Sequence, residues 1–286
     1  MKKTPKRTVV LAAAQDGQAL KAVISAHNEG QINYILVGPK EKTQEAARQE
    51  SLEADPGNII EASTDEACAE LAVELVKSSP GRILMKGGLA TATLLKAVVR
   101  KDSGVRCGGL LSHLALVESP HYHKLLAVTD GAMVPSPDFE QKRAIAQNAI
   151  DFFCRLGYTD PKIAFLAAVE MVNPQMPETV EAELLAAHFN RLGKGMAAGP
   201  LSLDLAISRD SAGIKKAAGP VVADADILIA PNIAAGNILT KGMLYFGGAL
   251  MAGLILGARV PIVLTSRAAA AKEKYLSLLI AAGACK

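Results

Sequence analysis

Short runs of valine, isoleucine and leucine alternate with stretches in which apolar residues recur at helical spacing. The runs have the length of strands, and two of them end at Gly38-Pro39 and Gly87-Gly88. Helix starts are indicated by capping-box spacing at residues 63–66 and by a serine-proline pair at 136–137. Because strands alternate with helices, the pattern predicts an α/β fold with parallel-type sheets covered by helices on both faces. The predicted strands are residues 8–13, 34–37, 82–86, 110–117, 125–129, 163–168, 226–230 and 261–265.

Two apolar segments require a choice between structures. Residues 9–14 follow a basic start but are too short for the hydrophobic region of a signal peptide, so they are predicted to form the first strand. Residues 242–258 are mostly apolar and glycine-rich, and Pro261 follows closely. Their length of 17 residues is marginal for a bilayer span. We therefore predict a buried helix there, packed closely through its glycines. Residues 193–200 are predicted to form a glycine-rich loop.

Composition and charge exclude several classes of protein. The chain has 286 residues, 50% hydrophobic and 21% charged, which is enough for a sizeable core and excludes a largely disordered chain. Its net charge is +3 with scattered basic residues, and only 4% of residues are aromatic, so no nucleic-acid-binding surface is expected. The four cysteines lie far apart without CxxC spacing, which excludes a disulfide scaffold and fits a reducing compartment. We therefore expect a cytoplasmic protein that binds neither nucleic acid nor membranes.

Ligands of α/β proteins bind at the carboxyl ends of strands, so the residues that follow each predicted strand are candidates for chemistry. Lys86, Gly87 and Gly88 end one strand and precede a helix that begins near Thr91. Glycines before a helix N-terminus can present backbone N–H groups to an anion, and Lys86 adds positive charge. A plain tight turn fits this spacing equally well.

Two later strands are followed by further candidates. The loop after the seventh predicted strand contains Asn232, Gly236 and Asn237, whose small size and amide groups suit the close approach of a polar ligand. From this loop alone, turn and cap roles for the two asparagines are favoured. The loop after the last predicted strand contains Ser266 and Arg267. An arginine at a helix N-terminus opposes the macrodipole, and a bound anion would offset that cost, so a functional arginine is favoured over a surface ion pair.

The histidines and aspartates do not predict a metal site. His121 and His123 have HxH spacing, but no third ligand lies nearby in the sequence. His113 lies inside a predicted strand, where a hydrogen-bonded core histidine is the commoner role. Asp224 and Asp226 are expected to cap a helix or a strand edge rather than bind a cation.

Five segments occur in one order along the chain, and together they resemble one enzyme family. They are LSHLALVESPHYHKLLAVTDGAMVPSPDFEQKRAIAQNAI, AVEMVNPQMPETVEAELL, GPLSLDLAIS, ADILIAPNIAAGNIL and PIVLTSR. This chain resembles the phosphate acetyl/butyryltransferase family, most closely its phosphate butyryltransferase branch. The resemblance covers most of the chain and is clearest over residues 82–267.

The resemblance implies an architecture and a reaction. It implies two α/β domains of the isocitrate/isopropylmalate-dehydrogenase-like fold, an active site in the cleft between them, and a homodimer. The final strand and helix would return to the first domain, giving a first domain of residues 1–137 and 260–286 and a second domain of 138–259. The reaction implied is reversible: acyl-CoA and phosphate give acyl phosphate and CoA. Coenzyme A is then a substrate, and neither a cofactor nor a metal is required.

The resemblance also implies roles for individual residues. Arg267 matches the family's catalytic arginine, placed to stabilise charge on the carbonyl oxygen and to hold phosphate bidentately. Ser266 matches the adjacent serine, a hydrogen-bond partner of the CoA thiol. Glu273 follows Ser266 by seven residues, as an aspartate base does in the acetyltransferase branch. Thr91, Ser112 and His113 are placed where the first domain meets phosphate. The full substrate-binding set is Lys86, Gly87, Thr91, Ser112, His113, Asn232, Gly236 and Asn237.

Three positions depart from the family pattern and leave alternatives open. Acids are expected in TSRAD, PNIEAGN and VDGPL, where this chain has Ala269, Ala234 and Ala198. Their absence makes the surroundings more positive, which fits an altered substrate or weakened catalysis. The three alanines therefore motivate one alternative, a weakened CoA- or phosphate-binding relative. A phosphate acetyltransferase is a second alternative, because the sequence does not settle the acyl chain. A nicotinamide-dependent hydroxyacid oxidoreductase is a third, because the implied fold is shared with decarboxylating dehydrogenases. A covalent acyl-enzyme on Ser266 is a second mechanism, although sequential transfer is expected.

Overall fold

The structure is a computed structural model that describes residues 6–106, 108–266 and 268–284. Strands and helices alternate through the chain. In order they are β1 (Arg7–Ala12), α1 (Gly17–Asn28), β2 (Ile32–Gly38), α2 (Lys40–Gln49), β3 (Ile59–Glu61), α3 (Asp65–Lys77), β4 (Arg82–Lys86), α4 (Thr91–Val99), β5 (Ser112–Glu118), β6 (Leu126–Thr129), α5 (Phe139–Arg155), β7 (Lys162–Leu166), α6 (Pro177–Leu192), β8 (Met196–Leu201), α7 (Leu203–Ile207), α8 (Arg209–Lys215), β9 (Ile227–Ile229), α9 (Ile233–Tyr245), β10 (Leu250–Leu256), β11 (Ile262–Val263) and α10 (Ala271–Ala284).

The chain divides into two compact units. Unit 1 comprises Met1–Gly109 and Ala252–Lys286, and unit 2 comprises Leu110–Met251. These boundaries differ from the predicted ones at 137 and 260. β5 and β6 belong to unit 2 because they form an antiparallel pair, and β6 in turn pairs in parallel with β9. Ser112 and His113, which the resemblance places in the first domain, therefore lie in unit 2.

The strands of unit 1 are ordered β3-β2-β1-β4-β11-β10. All neighbours are parallel except β10 and β11. Apolar side chains of β1, including Val9, Val10 and Leu11, are fully buried, as a central strand requires. Helices α1 and α10 pack against each other, and so do α3 and α4. β4 and β11 run in parallel with Val263 opposite Met85, so their carboxyl ends lie at the same edge of this sheet.

The strands of unit 2 are ordered β5-β6-β9-β7-β8, with every pair parallel except β5 and β6. Leu126, Leu205 and Leu228 belong to one buried apolar cluster of this unit. The mostly parallel sheets covered by helices confirm the predicted α/β fold. The loop predicted for residues 193–200 was wrong, because these residues contain most of β8.

Residues 242–258 do not form the predicted buried helix. Helix α9 ends at Tyr245, and the rest of the segment contains β10. Gly248 has a φ of +63°, and a Cβ on Gly247 would lie 2.7 Å from the Met243 carbonyl oxygen. The glycines therefore end the helix instead of packing it. Among the described residues, none of the helices is long and apolar enough to cross a bilayer.

Helix α9 approaches the end of β6 so closely that only glycine fits between them. A Cβ on Gly236 would lie 2.4 Å from the Asp130 carbonyl oxygen. The Asn237 side-chain amide donates a 2.9 Å hydrogen bond to the Gly131 carbonyl, and the Thr240 hydroxyl donates one of 2.9 Å to the Gly236 carbonyl. The first two turns of α9 are thus fixed against the Asp130-Gly131 turn.

We predict that Gly236→Ala destabilises the protein, because the added methyl group must displace either α9 or the Asp130 backbone. The expected loss is about 1–3 kcal/mol of unfolding free energy, measured by urea denaturation. Gly242→Ala is the matched control: it lies in the same helix, and nothing approaches its Cβ position within 4 Å. That control should gain about 0.5–1 kcal/mol from helix propensity. Equal stability of the two variants would contradict the close approach.

Candidate active site

Lys86 and Gly87 lie at the carboxyl end of β4, packed against the end of β1. The Gly87 and Gly88 N–H groups donate to the Ala12 and Ala13 carbonyls at 2.9 and 2.8 Å. A Cβ on Gly87 would lie 2.3 Å from the Ala13 carbonyl oxygen. These two N–H groups therefore serve the backbone contact with β1, not an anion.

Helix α4 begins at Thr91, directly after this turn. Its N-cap, Ala90, supplies no side-chain hydrogen bond, and the Thr93 N–H donates to the Ala90 carbonyl at 3.1 Å. The N–H groups at the start of α4 are therefore candidate donors to an anion. Lys86 is 4% exposed, and its ammonium group donates a 3.1 Å hydrogen bond to the Gly87 carbonyl. A positive charge and a helix N-terminus thus lie at one sheet edge, an arrangement that suits a phosphate.

The end of β11 lies at the same edge of unit 1 and leads into α10. Ser266 is exposed, and its hydroxyl oxygen accepts a 3.3 Å hydrogen bond from the Ala268 N–H. Arg267, the predicted catalytic arginine, lies outside the described residues. Two of the three predicted catalytic residues, Ser266 and Glu273, are therefore placed on the segment joining β11 to the first turn of α10.

Glu273 is a partly buried carboxylate in the first turn of α10. Burial raises the pKa of this carboxyl above its ordinary value, while the neighbouring Lys274 ammonium acts in the opposite direction. A carboxylate with a raised pKa is a better proton acceptor at neutral pH than an exposed one. The direction of this pKa shift is the one that favours a general base.

Ser112 and His113 begin β5 in unit 2. The Ser112 hydroxyl is fully buried and accepts a 3.0 Å hydrogen bond from the Asn148 side chain, so it ties α5 to the start of β5. The His113 ring has a buried Nδ1 without a hydrogen-bond partner among the described residues. Burial lowers the pKa of the His113 imidazole, and the nearby Asp130 carboxylate opposes that change. His113 is thus suited to act as a neutral hydrogen-bonding group.

Asp130 is the residue of this region that the sequence analysis did not single out. Its carboxylate is 2% exposed and accepts three backbone hydrogen bonds, from the N–H groups of Ala132 and Met133 at 2.8 Å and of His113 at 3.1 Å. The carboxylate therefore fixes both its own turn and the start of β5. The available signal was an aspartate-glycine pair directly after a predicted strand, inside the segment that carries the family resemblance.

The predicted Asn232, Gly236 and Asn237 lie together at the start of α9. Asn232 is the N-cap of that helix, and its side-chain oxygen accepts a 3.0 Å hydrogen bond from the Ala235 N–H. This is the cap role favoured from the loop alone. The Asp130-Gly131 turn contacts both His113 and the start of α9. His113, Gly236 and Asn237 therefore lie at the carboxyl end of β6 and β9, where ligands bind in α/β sheets.

The residues weighed for a metal site form ion pairs instead. His123 lies 2.8 Å from an Asp224 carboxylate oxygen, and Lys124 lies 2.7 Å from one of Asp226. Burial acts to raise the pKa of Asp224, but hydrogen bonds from Lys162, Lys124 and His123 outweigh it and hold that pKa far below its ordinary value. Within the part of the chain that the structure describes, no group of three metal-ligating side chains is present.

The three alanines that replace expected acids lie in different environments. Ala198 packs against the apolar cluster of unit 2, and Ala234 is exposed in the first turn of α9. Ala269 is 4% exposed, next to the segment that joins Ser266 to α10. A carboxylate at position 269 would therefore be buried in this protein, and alanine avoids that desolvation cost.

Comparison with known proteins identifies the family. A model described as phosphate acetyl/butaryl transferase matches residues 1–86 and 68–282. The chain is 40% identical over 277 residues to a probable phosphate butyryltransferase of Bacillus subtilis, covering 96% of this chain and 92% of that protein. It is 38% identical over 275 residues to a phosphate acetyltransferase of Rhizobium meliloti, covering 96% of this chain and 87% of that protein.

A solved structure agrees with these sequence relatives. The crystal structure of a branched-chain phosphotransacylase from Enterococcus faecalis V583 is similar with a TM-score of 0.86 at 35% identity, covering 98% of this chain and 99% of that one. The resemblance seen in the sequence motifs is thereby confirmed. The chain belongs to the phosphate acetyl/butyryltransferase family.

Proposed function

We propose that this acyltransferase moves a short acyl group, butyryl or a branched equivalent, reversibly between coenzyme A and phosphate. The Bacillus subtilis relative and the Enterococcus faecalis structure support the choice of acyl group. The match to the phosphate acetyl/butyryltransferase family over residues 1–86 and 68–282 carries the assignment. This assignment is further supported by a candidate base, Glu273. It is a partly buried carboxylate with a raised pKa on the helix that follows exposed Ser266 at the end of β11.

The proposed chemistry starts from the CoA thiol, which is mostly protonated at neutral pH although the thiolate is the nucleophile. Glu273 accepts the thiol proton as the sulfur attacks the carbonyl carbon of the acyl phosphate. A C–S bond forms, the C–O bond to phosphate breaks, and phosphate leaves with the electron pair. Ser266 donates a hydrogen bond to the reacting sulfur, and Arg267 stabilises charge on the carbonyl oxygen and the phosphate. This scheme uses CoA as a substrate and requires no cofactor or metal.

The choice of acyl chain is tested with purified protein, phosphate and acetyl-, butyryl- or isobutyryl-CoA, following CoA release with a thiol reagent. A pocket distinguishes one methylene by about 1–3 kcal/mol, so we expect kcat/KM for butyryl- or isobutyryl-CoA to exceed that for acetyl-CoA at least tenfold. Preference for acetyl-CoA would favour the acetyltransferase alternative, which the Rhizobium meliloti relative supports. Binding of CoA without any turnover would identify a weakened relative. Arg267→Ala, expected to lose about 10²–10³ in kcat, is the inactive control.

The role of Glu273 predicts a pH dependence. Only the ionised carboxylate accepts a proton, so kcat/KM should fall as the pH decreases through the pKa of Glu273, which burial raises above the ordinary value of about 4.3. Glu273→Gln should remove this fall at low pH, the acidic limb of the profile, and lower kcat by about 10²–10⁴-fold. Glu66→Gln, at an exposed position on α3, is the matched control and should keep the wild-type profile. An unchanged acidic limb in Glu273→Gln would exclude Glu273 as the base.

We also propose that the protein forms a homodimer through the outer face of α9. Ile238, Tyr245 and Phe246 are 70%, 69% and 95% exposed, and Ile238 and Tyr245 lie on one face of the helix. The opposite face packs into the apolar cluster of unit 2 through Leu239 and Met243. Large exposed apolar patches mark interaction surfaces.

Phe246→Ser should shift the mass measured by light scattering from dimer towards monomer at micromolar concentration. Leu184→Ser on α6, where leucine is 51% exposed, should leave the dimer intact. A wild-type monomer, or a Phe246→Ser dimer as stable as the wild type, would contradict the α9 interface.

We further propose that the protein is cytoplasmic. The free thiols of Cys68 and Cys154 support this location, and cell fractionation would test it.

A further inference from the structure

Lys274 is a buried cation to which the reaction scheme assigns no role. It lies in the first turn of α10, yet its side chain is only 1% exposed. Burying an ammonium group is costly unless ion pairs and hydrogen bonds replace its water. The burial of this charge therefore depends on the groups that contact it. Those contacts identify the part of the backbone that Lys274 fixes.

The ammonium group of Lys274 contacts two segments of unit 1 outside its own helix. Its Nζ lies 3.3 Å from the Thr265 hydroxyl, 3.5 Å from the Ser266 carbonyl oxygen and 3.8 Å from an Asp16 carboxylate oxygen. The other oxygen of Asp16 accepts a 2.9 Å hydrogen bond from the Ala19 N–H and caps α1. One charge thus joins the loop after β1, the end of β11 and the start of α10.

These contacts fix the backbone from which Ser266 projects. The Ser266 carbonyl accepts hydrogen bonds from Lys274 on one side and from the Ala269 N–H, at 3.1 Å, on the other. Thr265 is 6% exposed, so its hydroxyl is turned inward to Lys274 while the Ser266 side chain faces solvent. Lys274 also follows Glu273 directly in α10. The Lys274 ammonium group therefore connects the two ends of the segment from Ser266 to Glu273, the two candidate catalytic residues that the structure describes.

We propose that Lys274 is a positioning residue for acyl transfer, which holds the Ser266 backbone through its ammonium group without touching the substrate. This inference rests on the function proposed above. Lys142 offers a comparison: it is a second buried lysine, 8% exposed, paired with Glu181. Its ion pair joins α5 to α6, away from the candidate catalytic residues Ser266 and Glu273 of unit 1. Loss of either charge should cost stability, but only Lys274 should affect the reaction.

The test compares Lys274→Met with Lys142→Met, since both substitutions remove a buried charge and keep an apolar stem of similar length. For Lys274→Met we expect kcat to fall at least tenfold with the KM values for acyl-CoA and phosphate within threefold of wild type. Misplacing a reacting group affects the transition state more than substrate binding. Lys142→Met should lose a comparable amount of thermal stability and keep kcat within twofold.

The outcomes separate the two proposals. A wild-type enzyme without turnover of any short acyl-CoA would refute the proposed function. A wild-type enzyme that is active, with Lys274→Met within twofold of its kcat or changed in the same way as Lys142→Met, would overturn the positioning role alone. If Lys274→Met does not fold, Thr265→Val decides, because it removes one partner of the ammonium group and keeps the side-chain shape. That variant should lower kcat at least threefold at unchanged KM, and an unchanged kcat would overturn the proposal.

Discussion

Two close backbone contacts at the ends of strands position the candidate residues. One lies at the loop after β4 in unit 1, and the other at the start of α9 in unit 2. In unit 1 a Cβ on Gly87 would lie 2.3 Å from the Ala13 carbonyl oxygen, and in unit 2 one on Gly236 would lie 2.4 Å from that of Asp130. No side chain enters such a space, so glycine is required for steric reasons. The first contact sets where α4 begins after Lys86, and the second sets where α9 presents its first turns. The chemistry of each loop thus follows from a contact in which no functional group takes part.

Buried charges then hold what the glycines bring together. The Asp130 carboxylate accepts hydrogen bonds from three backbone N–H groups. The Lys274 ammonium group lies between a hydroxyl, a carbonyl and a carboxylate. Each burial costs stability that an apolar side chain would not cost. In return, each charge fixes a turn that the local backbone alone leaves free. Such departures from the cheapest packing are expected where geometry serves a reaction.

The sequence predicted the features that depend on local pattern. Strand positions followed from apolar runs. The capping-box spacing at residues 63–66 correctly indicated a helix but placed its N-cap one residue early, because the N-cap is Thr64. The serine-proline pair at 136–137 indicated the next helix start two residues early, because Asp138 forms the capping box with Gln141. Residues 242–258 were assigned wrongly since an apolar run does not distinguish helix from strand, and the glycines that end α9 act through φ angles.

What the sequence did not show depends on distant partners. Asp130 is recognisable only when the N–H groups of His113, Ala132 and Met133 are seen to converge on it. A lysine in an amphipathic helix predicts an exposed side chain, so nothing in the pattern around Lys274 indicated burial. Its role appears only after β11, α1 and α10 are placed together. Both residues lie beside positions that the family resemblance had already marked, yet their contributions are tertiary.

The replacement of expected acids by alanine has an electrostatic consequence at the start of α10. Lys86 and Lys274 are both buried at the edge where β4 and β11 end, and a carboxylate at position 269 would have offset part of their charge. With Ala269 there, the positive charge of this edge is opposed by Asp16, 3.8 Å from Lys274, and by Glu273 when it is ionised. Phosphate, acyl phosphate and coenzyme A are all anions, and a positive edge attracts each of them. The Lys274 charge also favours the ionised form of Glu273, against the effect of burial. We therefore expect alanine at position 269 to favour anion binding, while Glu273 keeps a raised pKa because desolvation is the larger effect.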